Sequence, residues 1–277
     1  MIVDAHQHFW TLARGDYAWP NESVAPIFKD FGPQDLEPLL VAASVDRTVL
    51  VQATDSVDET RFLLDLAGKS DRIAAVVGWV DFASDAAVKT VQDLAKNPLL
   101  KGLRPMLQGI EQSDWILQDA AEAVLTQMVS ADLRFDALVQ PRHLPHLFEL
   151  AKRHPGLAIV VDHLAKPEMG EGREPDHLWR MGMESLAARP NVYCKLSGMV
   201  TEIGPDWKLQ DLQPFAKTIL DCFGPDRVMF GSDWPVVNLA SDYASWITAA
   251  RSLLSGLSES NVSKIMGGTA RKFYGID

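Results

Sequence analysis

Cysteine is nearly absent. Cys194 and Cys222 are the only two in 277 residues, too few to cross-link a chain of this size, and that scarcity fits a reducing compartment such as the cytoplasm. Long hydrophobic runs are also missing: the longest, Ile73 to Val80, has eight residues and includes a glycine, far short of the roughly 20 that cross a bilayer. The opening MIVDAHQHFW has neither the basic flank nor the apolar stretch of a cleaved leader, so none is expected. Positive charge is in deficit, with 26 Lys and Arg against 37 Asp and Glu and a net charge of −11. The cations are scattered, which argues against nucleic acid or an anionic membrane as a partner. No Gly-x-Gly-x-x-Gly follows an apolar run, so a dinucleotide site has no support. No Pro/Gly/Ser-rich linker or charge block divides the chain, and residues 1–277 read as one domain.

What is present is a balance of 47% apolar and 23% charged residues, enough to bury a large core. Eight short apolar runs recur: Ile2 to Ala5, Thr48 to Gln52, Ile73 to Val80, Leu100 to Arg104, Arg134 to Gln140, Ala158 to Asp162, Val192 to Leu196 and Val228 to Gly231. Most are continuous rather than alternating, as expected of strands covered on both faces. Between them apolar residues repeat at helical spacing, for example Leu117, Ala120, Ala121, Val124, Leu125 and Met128, or Phe215, Ile219, Leu220 and Phe223. Pro155-Gly156, Pro190 and Gly224-Pro225 stop helices just before the next strand. Eight strands alternating with helices predict an α/β chain folded as a single-domain (β/α)8 TIM-type barrel. The longest connection, from His8 to about Asp46, carries Trp10, Tyr17, Trp19 and Pro20 and leaves the end of the first strand, where it can wall or cover a cavity.

Active sites of such barrels form at the C-terminal ends of the strands. His6-Gln7-His8 ends the first strand, and residues two apart on a strand face the same way, so both imidazoles can converge on one ion or one substrate atom. Asp162-His163 and Ser232-Asp233 end the sixth and last strands. His143, His146, His154 and His177 fall on or beside polar helical faces and are expected to be solvated. Ser197 and Ser232 lack a nucleophile elbow and are expected to hydrogen-bond, and Cys194 is expected to be inert packing.

With these residues in view, the chain resembles the amidohydrolase-2 branch of the amidohydrolase superfamily. The resemblance rests on His6-x-His8 with Phe9-Trp10, Val161-Asp162-His163-Leu164-Ala165-Lys166-Pro167, Lys195-Leu196-Ser197-Gly198 and Phe230-Gly231-Ser232-Asp233-Trp234-Pro235. It extends to Gly268 through Gly275 and is strongest toward sugar-lactone hydrolases of the L-fuconolactonase and L-rhamnonolactonase type. It implies that His6, His8 and Asp233 hold one divalent metal, most simply Zn²⁺, with one position open, and that the metal is dispensable in some relatives. Asp233 would activate water, and Zn²⁺, or His163 with Arg104 where metal is absent, would stabilise the developing oxyanion. A two-metal site is disfavoured, because the fourth and fifth strand ends offer Arg104 and Gln140 in place of a bridging lysine or glutamate and a histidine. For a polyhydroxylated lactone, Gln52, Arg104, Gln140 and Lys195 could supply polar contacts, and Trp19, Trp79 and Trp234 could face the sugar ring. A barrel decarboxylase, an amide hydrolase or an inactive sugar-acid binder are the alternative readings. Nothing in the pattern specifies an oligomeric state.

Overall fold

The computed structural model describes residues 1–277. Its strands are β1 (Val3–Gln7), β2 (Arg47–Val51), β3 (Ile73–Gly78), β4 (Leu100–Leu103), β5 (Arg134–Ala137), β6 (Ile159–Val161), β7 (Val192–Leu196) and β8 (Val228–Phe230). They form one parallel sheet in sequential order. The connecting helices are α1 (Pro33–Ala43), α2 (Val57–Ala67), α3 (Ala87–Leu94), α4 (Asp119–Ser130), α5 (Leu144–Arg153), α6 (His177–Ala187), α7 (Met199–Ile203), α8 (Leu209–Phe223) and α9 (Tyr243–Leu253). A short α10 (Glu259–Ser263) leads through a π-helical turn to α11 (Thr269–Tyr274). This is the (β/α)8 barrel expected from the alternation. Six strands end earlier than the apolar runs suggest, at Val51, Gly78, Leu103, Ala137, Val161 and Phe230, because the mostly buried residues that follow already belong to the loops of the rim. No helix is long and apolar enough to cross a membrane.

Two apolar clusters divide the interior. The larger lies between the strands and the surrounding helices. The smaller gathers Val3, Ala5, Val49, Val51, Ala75, Val77, Val160 and Met229 from five strands around Ala270, Phe273, Tyr274 and Ile276. Residues from strands that are not neighbours can meet only inside the barrel, so α11 and Ile276 after it close the floor. The Arg134 guanidinium donates to the Phe273 carbonyl at 2.6 Å and fastens that plug.

Two features of β1 place the chemistry. Asp4 pairs with Thr48 but Gln7 pairs with Leu50, so one extra residue bulges from the ladder between them. The bulge reverses the alternation: Val3 and Ala5 face the floor, and His6, on what would otherwise be the opposite face, also turns inward. The second feature is the seam. β1 meets the end of β8 through Asp233 N–H donating to the His6 carbonyl and His8 N–H donating to the Trp234 carbonyl, both at 2.7 Å. Barrel closure therefore seats Asp233 beside the two histidines, 225 residues past His8 in sequence.

The long connection after β1 packs over this end. Trp10 exchanges backbone hydrogen bonds with Phe31, and its indole donates to the Lys29 carbonyl at 2.8 Å. Asp16 ties the connection to the start of α2, its carbonyl and carboxylate accepting from Thr54 and Ser56 hydroxyls.

Candidate active site

At the barrel mouth Asp233 Oδ1 lies 3.3 Å from His8 Nε2, 3.7 Å from His6 Nε2 and 3.8 Å from His163 Nε2. All four side chains are buried or nearly so. The four residues singled out at three strand ends thus share one pocket. Backbone strain marks two of them. His163, Leu164, Ala165 and Lys166 form a left-handed turn with φ of 52°, 55°, 61° and 50°, and Asp233 has φ 58°. Non-glycine residues resist this region at roughly 1–2 kcal/mol each, so the surrounding bonds must hold it. The Leu164 carbonyl accepts from the Trp179 indole at 2.8 Å, and Lys166 pairs with Glu202 at 2.8 Å. Gly198, itself left-handed, lets the His163 ring sit where a Cβ would stand 2.5 Å from Nδ1.

Each imidazole is anchored through its second nitrogen. His8 Nδ1 lies 2.8 Å from the Val51 carbonyl, a pure acceptor, so Nδ1 carries the hydrogen and Nε2 presents its lone pair. His163 Nδ1 lies 2.8 Å from Ser197 Oγ. His6 Nδ1 stands between Lys195 Nζ at 3.1 Å and Asp162 Oδ1 at 3.4 Å. Burial and the Lys195 cation hold His6 well below the usual imidazole range, and burial brings His163 down to about 4 although Asp233 and Asp162 pull the other way. For Asp233 burial favours protonation, but His163, His8 and His6 outweigh it and keep the carboxylate ionised.

His6 Nε2, His8 Nε2 and Asp233 Oδ1 are 3.2, 3.3 and 3.7 Å apart. Around tetrahedral zinc with bonds near 2.0–2.1 Å, adjacent donors lie about 3.3–3.4 Å apart, so the three atoms mark one face of such a site. The lone pair of His8 and the charged oxygen of Asp233 point at one another, an arrangement that a cation between them stabilises. The donors fit a divalent metal. Opposing it, Arg104 Nη1 lies 3.5 Å from His6 Nε2, the position that discourages a second ion.

The structure sorts the expected substrate contacts. Arg104 is buried at the pocket wall, ion-paired with Asp162 at 3.4 Å. Gln52 is a correction: it is wholly buried, its carboxamide donating to the Arg104 carbonyl and accepting from Arg104 Nη2, both at 3.0 Å, so it holds Arg104 and has no free group for a ligand. Lys195 is another, lying wholly buried beneath His6 against Asp136 and Asp162 at 2.5 and 3.0 Å. Trp234 is a third, 2% exposed and enclosed edge-on by Phe9 and Phe31. Trp19, Trp79 and Gln140 remain half-buried. Trp19 lies edge-on to Trp10, while the Gln140 carboxamide accepts from Arg142 at 3.2 Å.

Two of the histidines expected in solvent are buried. His143 Nδ1 accepts the Gln140 N–H at 3.0 Å, and His154 meets Glu122 at 3.2 Å. They cap the two ends of α5, a placement that a helical-face pattern does not reveal.

Three buried acids went unread in the sequence. Asp136 accepts from Lys195 and from the Tyr274 hydroxyl at 2.7 Å. Asp4 accepts the Ser232 N–H at 2.7 Å and the Tyr243 hydroxyl at 3.1 Å, bracing the β1–β8 seam, and burial raises it to about 6. Glu59 accepts the N–H groups of Ala53 and Thr54, and burial raises it to about 7. An acid inside a Val/Ile-rich run is the signal that could have found the first two.

Residues 3–276 match the family model described as Amidohydrolase. An L-fucono-1,5-lactonase of Burkholderia ambifaria is 46% identical, covering 99% of this chain and 96% of that protein. An L-fucono-1,5-lactonase of Burkholderia multivorans is 37% identical over the same shares. A crystal structure of a Burkholderia multivorans amidohydrolase with bound zinc superposes with a TM-score of 0.93 at 35% identity, covering all of both chains.

Proposed function

The chain belongs to the amidohydrolase family, and from that premise we propose the work of each residue in the mouth of its barrel. The protein is a sugar-lactone hydrolase, a carboxylic ester hydrolase whose substrate is a small molecule. The substrate we assign is L-fucono-1,5-lactone or a close stereochemical relative, supported by the two lactonases similar over nearly the whole chain. The observation that carries the mechanism is the single Asp233 oxygen within 3.3 to 3.8 Å of three imidazole nitrogens.

Ring opening requires an attacking water, a polarised carbonyl and a proton for the departing ring oxygen. Asp233, ionised and aimed into the pocket, takes the water proton as the new C–O bond forms and returns it to the ring oxygen as the old one breaks. Arg104 and His163 stand beside the carbonyl oxygen and stabilise its negative charge; Ser197 donating to Nδ1 would leave His163 Nε2–H as the donor. His6 and His8, with Asp233, would hold the metal, for which we favour Zn²⁺. Such an ion supplies Lewis-acid polarisation and makes water more acidic. Half-buried Trp19 and Trp79 offer faces to the sugar, and Gln140 a carboxamide at the rim. Residues 1–277 would act as one catalytic unit. Its two free cysteines suit a reducing, cytoplasmic setting.

Purified protein mixed with L-fucono-, L-galactono- and L-rhamnonolactones in a pH-indicator assay tests this reading, since each ring opened releases a proton. Rapid acidification with the first is expected. No acidification above the spontaneous rate with any of them would overturn it.

A further inference from the structure

Beneath the pocket lies a charged network that the hydrolytic step does not use. Lys195 Nζ faces three acceptors: Asp136 Oδ2 at 2.5 Å, Asp162 Oδ1 at 3.0 Å and His6 Nδ1 at 3.1 Å. Its aligned hydrogen bonds run to Asp136 and His6, with Asp162 held only at ion-pair distance, so Lys195 makes its second hydrogen bond only when His6 Nδ1 accepts one. The Tyr274 hydroxyl of α11 braces Asp136 from below at 2.7 Å. A neutral imidazole that accepts at Nδ1 carries its hydrogen at Nε2, and His8 Nε2, a lone-pair acceptor, waits 3.2 Å away. The bonds then run from Lys195 through His6 and His8 to the Val51 carbonyl, and the one donor turned toward the Nε2 hydrogen is Arg104 Nη1 at a longer 3.5 Å.

That arrangement opposes metal ligation, because His6 Nε2 must present a lone pair to an ion. The alternative is also built in. Asp162 Oδ1 is buried with no well-aligned hydrogen-bond donor and lies 3.4 Å from His6 Nδ1, ready to accept a hydrogen placed there. Asp162 and Lys195 therefore compete for one nitrogen.

We propose that Lys195 is a positioning residue that holds His6 with its hydrogen on Nε2, so that metal capture requires His6 to leave Lys195 and donate from Nδ1 to Asp162. The ring keeps one hydrogen throughout; it moves from one nitrogen to the other. Lys195 thereby weakens the metal site and keeps its ion exchangeable. This inference rests on the proposed ligand role of His6.

The test is nitrogen NMR of the imidazoles in chelator-treated enzyme before and after zinc, with the His6 signal assigned by its loss in His6→Asn, alongside zinc affinity from chelator competition. Expected for the unaltered protein is Nε2–H before zinc and Nδ1–H after it. Lys195→Met should show Nδ1–H before any metal and bind zinc about tenfold tighter or more, from the loss of a charge-assisted bond that zinc must otherwise break. Nδ1–H in the metal-free unaltered protein overturns the inference, as does a Lys195→Met protein with unchanged tautomer and affinity. If that variant does not fold, the spectrum of the unaltered protein decides alone. Absence of zinc binding in both proteins sinks the ligand reading of His6, while the metal-free spectra still decide what Lys195 does.

Discussion

The floor and the mouth of this barrel are made by the same strands and obey opposite rules. At the floor, Val3 and Ala5 of β1 join Val49, Val51, Val77 and the α11 plug in an apolar cluster closed to water. A few residues further along β1, His6 and His8 face a carboxylate, a guanidinium and an ammonium. β7 shows the same gradient, from Tyr193 against Phe273, through Lys195 under His6, to Ser197 on His163. Apolar burial at one end stabilises the fold, while at the other end buried charge and left-handed backbone cost stability and are held by it. A change at one end should therefore move a different observable from a change at the other.

The most severe test of that division is Asp233→Asn. Initial rates on L-fucono-1,5-lactone should fall about a thousandfold with the loss of the general base, while urea unfolding changes little or shows a gain. A variant with near-normal rates would remove Asp233 from the chemistry. The opposite pattern is expected for Phe273→Ala in the floor. Its ring is 3% exposed, and truncation should cost roughly 3–5 kcal/mol in chemical denaturation while the folded fraction retains its KM.

Glu59 sharpens the boundary, since it braces the loop beneath Gln52 and Arg104. Its folded-state value is about 7 against an ordinary 4.5, so the native state binds a proton more readily than the unfolded chain. The penalty is absent below about pH 4.5, grows as pH rises toward 7 and is constant above. Glu59→Gln keeps an acceptor for the two N–H groups and loses the charge. Its stability relative to the unaltered protein should improve by about 3 kcal/mol between pH 4.5 and 8; parallel pH profiles would refute this. The smallest effect is expected at Gly198. Gly198→Ala forces a methyl against the His163 ring at a φ of +67°, and kcat should fall about tenfold with only a slight loss of Tm, because the ring is displaced without emptying the core.

Much of the barrel was legible because its strands are short, apolar and regularly spaced. β7 begins and ends at Val192 and Leu196 as the pattern indicates. The rim was legible through residue types that apolar runs do not need: two histidines two apart and an aspartate after the last strand. The supporting shell was much less so. Lys195 reads as a rim cation until Asp136 and Asp162 are seen to bury it, and Gln52 reads as a free amide until Arg104 is found to occupy both of its ends. Trp234 reads as a sugar platform until Phe9 and Phe31 close around it.

What the amino-acid order determined by itself was the succession of strands and helices, the end of each strand at which chemistry would gather, and the kinds of side chain available there. Periodicity is a local property, and a single chain carries it without reference to its neighbours. Tertiary structure decided the rest. The bulge in β1 turned His6 inward, the β1–β8 seam brought Asp233 to 3.3 Å from His8, and the opposite charges around Lys195 drew it out of water. Each of these depends on groups from distant strands meeting at a few ångströms, a distance that exists only once the sheet has closed.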